Sequence, residues 1–356
     1  MLEELKELFF ELGRKINNWS EKEILMAQEE WGNCTAEEIV SLAARNDLVP
    51  VLEEFVKNGG DLHFVIDDGA EKVNLLNIAA EEGSLNVINY LLDNNIFTVN
   101  QGASEGTHAP FHSAVEGNNI EAAKLLLKKG ANINAEYLRH NISYSTANKL
   151  FVVYKDENDV EFDHLEMAKL LVKFGVQIPD NIDMLCSDSL VQLYPTKGLI
   201  KDLLLSIKKL ENLQGDDFAN ASTPEVQEIW DARISKNHLK KLAGFIEKKF
   251  SKESTIEHTE YAAFREYSSL TKHKKEVLEI LLAQKNFNSD DLIKVDNYIK
   301  AHFFEIACIA KDFTGTAFEA IAKAGIIGEI TQYLHFEDSG IKIAGASSGD
   351  IDCNHS

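Results

Sequence analysis

Ala43-Ala44 returns as Ala79-Ala80, and Leu91-Leu92 returns as Leu126-Leu127, each about thirty-five residues further along the chain. A helical pattern repeating at this spacing cannot bury its apolar face within one copy. Successive copies must stack into a solenoid, and about three are needed for a stable one. Between two of the copies the register is kept without a gap: Ala79 aligns with Ala114, Leu85 with Ile120 and Leu92 with Leu127. Small alanines let one helix approach its neighbour closely, while the leucines fill the layer between the second helices. Gly59 and Gly130 fall where helices should end and a positive φ is needed to turn the chain. Pro50 and Pro110 fall at predicted helix starts, where a missing N–H costs least.

Three stretches carry a more specific likeness. They are Ala43-Ala44-Arg45-Asn46-Asp47-Leu48-Val49 running to Gly59-Gly60-Asp61-Leu62; Leu76-Asn77-Ile78-Ala79-Ala80-Glu81-Glu82-Gly83 running to Leu91-Leu92; and Ala109-Pro110-Phe111-His112-Ser113-Ala114 running to Gly130-Ala131-Asn132-Ile133-Asn134. Together they resemble the ankyrin repeat family, whose pattern is Thr-Pro-Leu-His, an Ala-Ala pair, a Gly turn, a Leu-Leu helix and Gly-Ala-Asp-Val-Asn. The resemblance implies an all-α solenoid that holds another protein with the hairpin fingers between repeats and the concave face of the first helices. Carried onto this chain, the fingers are 63–74, 97–108 and 134–141, and the exposed partner-binding candidates are Asp67, Asp68, Gln101, Ser104, Tyr137 and Arg139. The resemblance also gives His112 a structural role, tethering adjacent repeats by hydrogen bonds. The first finger departs from the pattern, since Phe64-Val65-Ile66 stands where polar residues are usual, and it is expected to pack against the N-terminal helices.

A fourth copy is recovered at Leu165 to Gly175, matching Ile120 to Gly130 with an offset of 45. That is about ten residues too long for the period. Its first helix is placed near Tyr144 to Phe151, followed by an acidic insertion over 154–163. A degenerate fifth unit from Asp183 to Leu210 is expected to close the stack, because a terminal repeat has one face that meets no other repeat. The expected organisation is an N-terminal helical cap (1–36), four to five ankyrin repeats (37–212), a C-terminal α-helical domain (213–336) and a flexible tail (337–356). In the third region, Thr223-Pro224-Glu225 and Ser289-Asp290-Asp291 are helix starts. Apolar stripes at helical spacing run through Leu239 to Ile246, Val277 to Leu282, Leu292 to Ile306 and Phe318 to Ile330.

A formal net charge of −22 over 356 residues speaks against nucleic acid and anionic membrane surfaces, and favours a protein partner with a basic surface. No stretch approaches the ~20 apolar residues of a membrane span. The N-terminal Met1 to Phe10 is acidic and amphipathic, a packed helix rather than a Sec-type signal peptide. Cysteines 34, 186, 308 and 353 share no spacing suited to a disulfide framework or a zinc site, so a reducing, cytoplasmic compartment is expected, with no metal and no cofactor.

One nucleophile can be motivated. Cys34 stands just before a predicted helix, whose positive end favours a thiolate, and His63 or His108 would have to supply the base of a cysteine-dependent hydrolase or transferase; the enzyme reading places its site there or in the C-terminal domain, with the repeats as a platform that presents the substrate. A cysteine in that place is more often a packing residue, and a non-catalytic binding module is the first reading. No phosphate loop, Gly-x-Ser-x-Gly elbow or His-Glu-x-x-His motif is present. Clusters such as Lys248-Lys249 and Lys272-His273-Lys274-Lys275 read as solvated helix faces. In residue usage and irregularity of repeats, the chain is similar to the ankyrin proteins that intracellular bacteria such as Legionella and its relatives deliver into host cells. That resemblance implies an effector exported into the host cytoplasm without an N-terminal signal.

Overall fold

The computed structural model describes residues 2–31, 34–67, 72–102, 107–139, 142–153, 163–213, 222–250, 263, 266–267, 269–301, 334–337 and 340–343. Residues 1–236 and 237–356 form two compact units. In the first, α1 (Leu2–Lys15) and α2 (Glu21–Trp31) precede four helix pairs. These are α3 (Ala36–Arg45) with α4 (Val49–Lys57), α5 (Leu75–Glu82) with α6 (Leu85–Asp93), α7 (Pro110–Glu116) with α8 (Ile120–Lys128), and α9 (Thr146–Lys149) with α10 (Leu165–Lys173). Three helices follow, α11 (Ile182–Leu185), α12 (Asp188–Leu193) and α13 (Pro195–Glu211), and then α14 (Pro224–Ile234).

Inner helices α3, α5, α7 and α9 touch in series, and so do outer helices α4, α6, α8 and α10. The small residues explain the close approach: Ala43, Ala44, Ala79, Ala80 and Ala114 are all fully buried in the inner row. The outer row buries Val87, Ile88, Leu91, Ala122, Ala123, Leu126 and Leu171. Each large aliphatic side chain buried here stabilises the stack by roughly 1.5–3 kcal/mol relative to exposure. Helix α1 seals one end by laying Leu5, Phe9 and Phe10 against α3 and α4. At the other end α13 and α14 cover α10.

Two glycines are fixed by geometry. Gly130 has φ +92°, as the turn after α8 requires. Gly117 has an ordinary φ, but a Cβ there would stand 1.9 Å from the Glu81 carbonyl oxygen, so the ends of α5 and α7 can meet only over a glycine.

Every inner helix begins in the same way. Its third residue reaches back to the N–H of the residue before the helix: Glu38 to Thr35 at 2.7 Å, Asn77 to Asn74 at 3.3 Å, His112 to Ala109 at 3.2 Å and Asn148 to Ser145 at 3.4 Å. In α3 and α5 the bond is returned, since the Thr35 and Asn74 side chains accept from the N–H groups of Glu38 and Asn77, which a helix start would otherwise leave open. In the two middle repeats the same side chain also reaches forward. Asn77 Nδ2 donates to the His108 carbonyl at 3.2 Å, and His112 Nε2 donates to the Ala135 carbonyl at 3.0 Å.

The connections form the fingers. Strands β1 (Ile66–Asp67) and β2 (Lys72–Val73) pair in the first finger, β3 (Glu136–Arg139) and β4 (Ile142–Ser145) in the third, both antiparallel. The third finger thus runs four residues beyond the expected end at 141. Phe64 packs edge-on to Phe55 of α4, ring centroids 6.3 Å apart, which seats the first finger on its own repeat. The fourth pair is recovered where expected, with α9 only four residues long. The acidic insertion lies outside the described residues except Asp163, whose carboxylate accepts from Leu165 N–H at 3.0 Å and opens α10. Lys197, fully buried on α13, donates to the carbonyls of Leu150 and Val152 at 3.0 and 3.1 Å and so closes the end of the short fourth inner helix.

Two features differ from the expected domain plan. Helix α14, assigned from sequence to the C-terminal domain, packs on α10 and α13, because Arg233 donates to the Val176 carbonyl at 2.9 Å and pairs with Glu211 at 2.7 Å. The stretch expected as a tail also opens with regular structure. Strand β5 (Leu334–Glu337) pairs with β6 (Gly340–Ile343), placing Leu334 opposite Ile343 and Phe336 opposite Ile341, an alternation that suits strands. In the second unit the described helices are α15 (Lys236–Phe250), α16 (Lys272–Ala283) and α17 (Ser289–Ala301), burying Leu239, Leu242, Ile246, Val277, Leu278, Leu281 and Val295. The expected helical stripes at 303–306 and 318–330 lie outside the described residues. No helix among the described residues is long and apolar enough to cross a membrane.

Candidate functional site

The inner helices and the fingers beside them form the face on which a partner can be held. At the first repeat this face opens into a groove of about 490 Å³. One side is the start of α3, contributing Cys34, Glu37, Glu38, Ser41 and Leu42; the other is the finger, contributing Phe64, Val65, Ile66 and Asp67. The Thr35–Glu38 capping box fixes the helix start, and the Glu38 carboxylate is held by Thr35 N–H. Val65 keeps 44 % of its surface exposed, an apolar side chain left against water. Along the same face Arg45 of α3 pairs with Glu82 of α5 at 2.5 Å.

Two sequence candidates meet in this groove, Cys34 and Asp67. The remaining candidates do not join them. Gln101 is exposed, and its side-chain carbonyl accepts from Thr98 N–H at 3.2 Å to shape the turn of the second finger. Arg139 ends β3 opposite Ile142. Asp68 and Ser104 lie outside the described residues. Tyr137 is a correction: expected at the surface, it is 6 % exposed. Its ring stacks on Tyr144 at 5.5 Å, meets the edges of His108 and His112, and lies 4.9 Å beneath the Lys149 ammonium. A strand residue facing the stack is buried, and a reading of finger positions alone does not say which way it faces.

The cluster around Tyr137 closes the third finger against the stack. Lys149 and Glu116 form an ion pair with side-chain exposures of 4 % and 12 %. His108 Nε2 lies 2.9 Å from Ser113 Oγ and 3.9 Å from Glu116, and Ser113 Oγ accepts from Asn77 at 3.0 Å. Serine, histidine and glutamate are thus neighbours without being a catalytic triad. The carboxylate approaches the same ring nitrogen as the serine, so it cannot orient a base from behind, and the group is buried. His112 is pushed down to about 4, by burial first and then by the charges of His108 and Lys149. Its Nδ1 accepts from Ala109 N–H and its Nε2 donates to Ala135, which is the neutral tautomer.

No histidine is among the described residues that line the groove with Cys34. His63 is engaged elsewhere: Nδ1 meets Asp61 at 2.7 Å and Nε2 meets the Ile96 carbonyl at 2.8 Å, joining the first finger to the end of the second repeat. Asp61 raises the His63 pKa. His108 sits in the buried cluster. Glu37 and Glu38 line the same groove as Cys34, and the Glu38 carboxylate is engaged by Thr35 N–H at 2.7 Å.

Sequence reading singled out Phe64-Val65-Ile66 but missed Leu42, which faces that run across the groove, and the buried pair Lys149–Glu116. It also missed Asn77, although a signal was present: Asn77 occupies in the second repeat the place of His112 in the third, and performs the same two bonds.

Comparison with known proteins agrees with the geometry. The family model of ankyrin repeats matches residues 40–137 in three copies. An ankyrin repeat protein of Rickettsia bellii (strain RML369-C) is 46 % identical over 136 residues, covering 36 % of this chain and 88 % of that protein. With the stacked helix pairs, the fingers, and an extensive match over most of that relative, the chain belongs to the ankyrin repeat family.

Proposed function

We propose that this chain is a non-catalytic interaction module that holds a partner protein with a basic surface along its inner helices and first fingers, and that it acts as an effector in the cytoplasm of a host cell. The observation that carries the binding reading is the rigid inner face, continuous from α3 to α9 and opening into a groove with exposed apolar and acidic side chains at the first repeat. The net charge of −22 supports a basic partner. Likeness to a protein of Rickettsia, an intracellular bacterium, supports the host-cell setting.

The test is affinity capture from a host-cell lysate with the full chain and two charge-reversed forms. One carries Glu37→Lys, Asp67→Lys and Glu82→Lys on the inner face; the other carries Glu121→Lys and Glu166→Lys on the outer helices. Loss of captured proteins with the first form alone is expected. Equal capture by all three would remove the inner face from the interaction.

A further inference from the structure

We infer that the groove between α3 and the first finger docks a short extended segment of the partner that carries an aliphatic side chain flanked by lysine or arginine. The inference rests on the interaction-module reading and names the partner chemistry at one place.

The wall of the groove is apolar, built from Leu42 and the run Phe64, Val65 and Ile66, with Val65 nearly half exposed. Its rim is acidic, from Glu37, Glu38 and Asp67, and no lysine, arginine or histidine is among the described residues that line it. Lys72 faces Asp67 across the hairpin register but is not part of the lining. Each half of this surface excludes a simple occupant. A purely aliphatic segment would strip water from the carboxylates without replacing it, and a purely cationic one would leave Leu42 and Val65 against water. A segment with both kinds of side chain meets both demands, an apolar centre with a charged surround. The groove's form agrees, since a volume of about 490 Å³ that lies open to solvent suits several consecutive side chains of an extended chain.

Cys34 makes the test local, because its thiol lines the groove while Cys186 is buried. The full chain is prepared with Cys308→Ser and Cys353→Ser. It is mixed with a fluorescein-labelled peptide alternating lysine and leucine, and with counterparts in which serine replaces leucine or glutamate replaces lysine. Fluorescence polarisation reads binding, and the rate of Cys34 alkylation by iodoacetamide reads its place. The lysine–leucine peptide should bind at least about tenfold more tightly than either counterpart and should slow alkylation several-fold. Val65→Ser, and separately Glu37→Lys with Asp67→Lys, should each weaken binding about tenfold, while Glu121→Lys with Glu166→Lys should not. Absence of binding, equal binding of the lysine–serine peptide, an unchanged alkylation rate with peptide bound, or equal loss in the outer-face variant would each overturn the inference. If it falls while capture of host proteins is still lost with Glu82→Lys alone, outside the groove, the interaction-module reading stands without it.

Discussion

The first and third fingers are the same device put to opposite ends. The first projects Phe64 to Asp67 opposite α3 and leaves the space between them open, with Val65 against water. The third turns Tyr137 inward over His108, His112 and Lys149 and fills that space with its own side chain. An ankyrin finger can therefore serve the fold or serve a partner, and the direction of one or two side chains decides which. A closed finger should show its worth in stability, and an open one should show little there and much in binding.

The largest expected effect is at the closed finger. Lys149→Met removes the cation from a buried ion pair and leaves the Glu116 charge without its lysine, so unfolding by urea should show a loss of about 3–5 kcal/mol. Replacing both partners, Lys149→Met with Glu116→Leu, leaves no uncompensated charge and should recover at least about half of that loss. A double variant as unstable as the single one would mean that the cluster is held by Tyr137 and the histidines, with the ion pair incidental.

Next comes the dependence on pH, where the two fingers should differ in sign. The folded state holds His112 at about 4, below the ordinary histidine value, so the unfolded chain binds a proton that the folded chain refuses. Stability from this residue is complete above about pH 6.5 and falls as the pH drops to about 4, by on the order of 3 kcal/mol. His112→Asn, the residue used at the same place in the second repeat, should flatten that part of the curve. His63 behaves oppositely: Asp61 raises its pKa, so its stabilising effect is present below the ordinary value and fades as the pH rises through the raised one. Amide protection at Ile96 and Phe97, taken relative to the intrinsic base-catalysed exchange rate, should fall on the alkaline side in the native chain and lose that dependence in His63→Asn.

Much of this was legible in the sequence, and the limits have physical causes. The stack followed from the period, because alanines and leucines at a fixed spacing have one way to be buried together. The start of the fourth repeat and the capping threonine of α14 were equally plain, since local chemistry decides them: Thr223 Oγ1 accepts from Val226 N–H at 3.4 Å, as its place before Pro224 suggests. Side-chain direction in a two-stranded finger was not legible. A slip of one residue reverses inside and outside, so a finger position such as that of Tyr137 does not say whether its side chain is buried. The groove was half legible: Asp67 and the odd Phe64-Val65-Ile66 were visible, whereas their position opposite Cys34 and Glu37 depends on where the finger folds back. Where α14 belongs was hidden too, because an ion pair such as Arg233–Glu211 joins residues far apart in sequence.

A smaller effect is expected at the open side of the comparison, in the helix that forms one wall of the groove. Thr35→Ala removes the hydroxyl that caps α3 and should cost about 1 kcal/mol in chemical unfolding, the usual value of such a cap. It should also weaken binding of the lysine–leucine peptide, because Glu37 and Glu38 are aimed by the first turn of that helix. Full affinity in Thr35→Ala would show that the acidic rim acts as diffuse charge without a fixed geometry.

The smallest stability effect is predicted at the residue with the largest role in docking. Val65 contacts water over nearly half its surface, and Val65→Ser gives up little burial, so stability should change by less than about 0.5 kcal/mol. A core valine would respond otherwise, since deleting buried aliphatic atoms leaves a cavity as well as losing their transfer from water. If Val65→Ser instead destabilises the chain by 1 kcal/mol or more (about the cost of a lost cap), the first finger is a closed finger like the third. Its apolar run would then serve the fold, and the open groove would have no claim to a partner. If stability is unchanged while peptide affinity falls, the two fingers differ as their side-chain directions imply, and an exposed valine retained on an acidic face has its explanation in what it meets there.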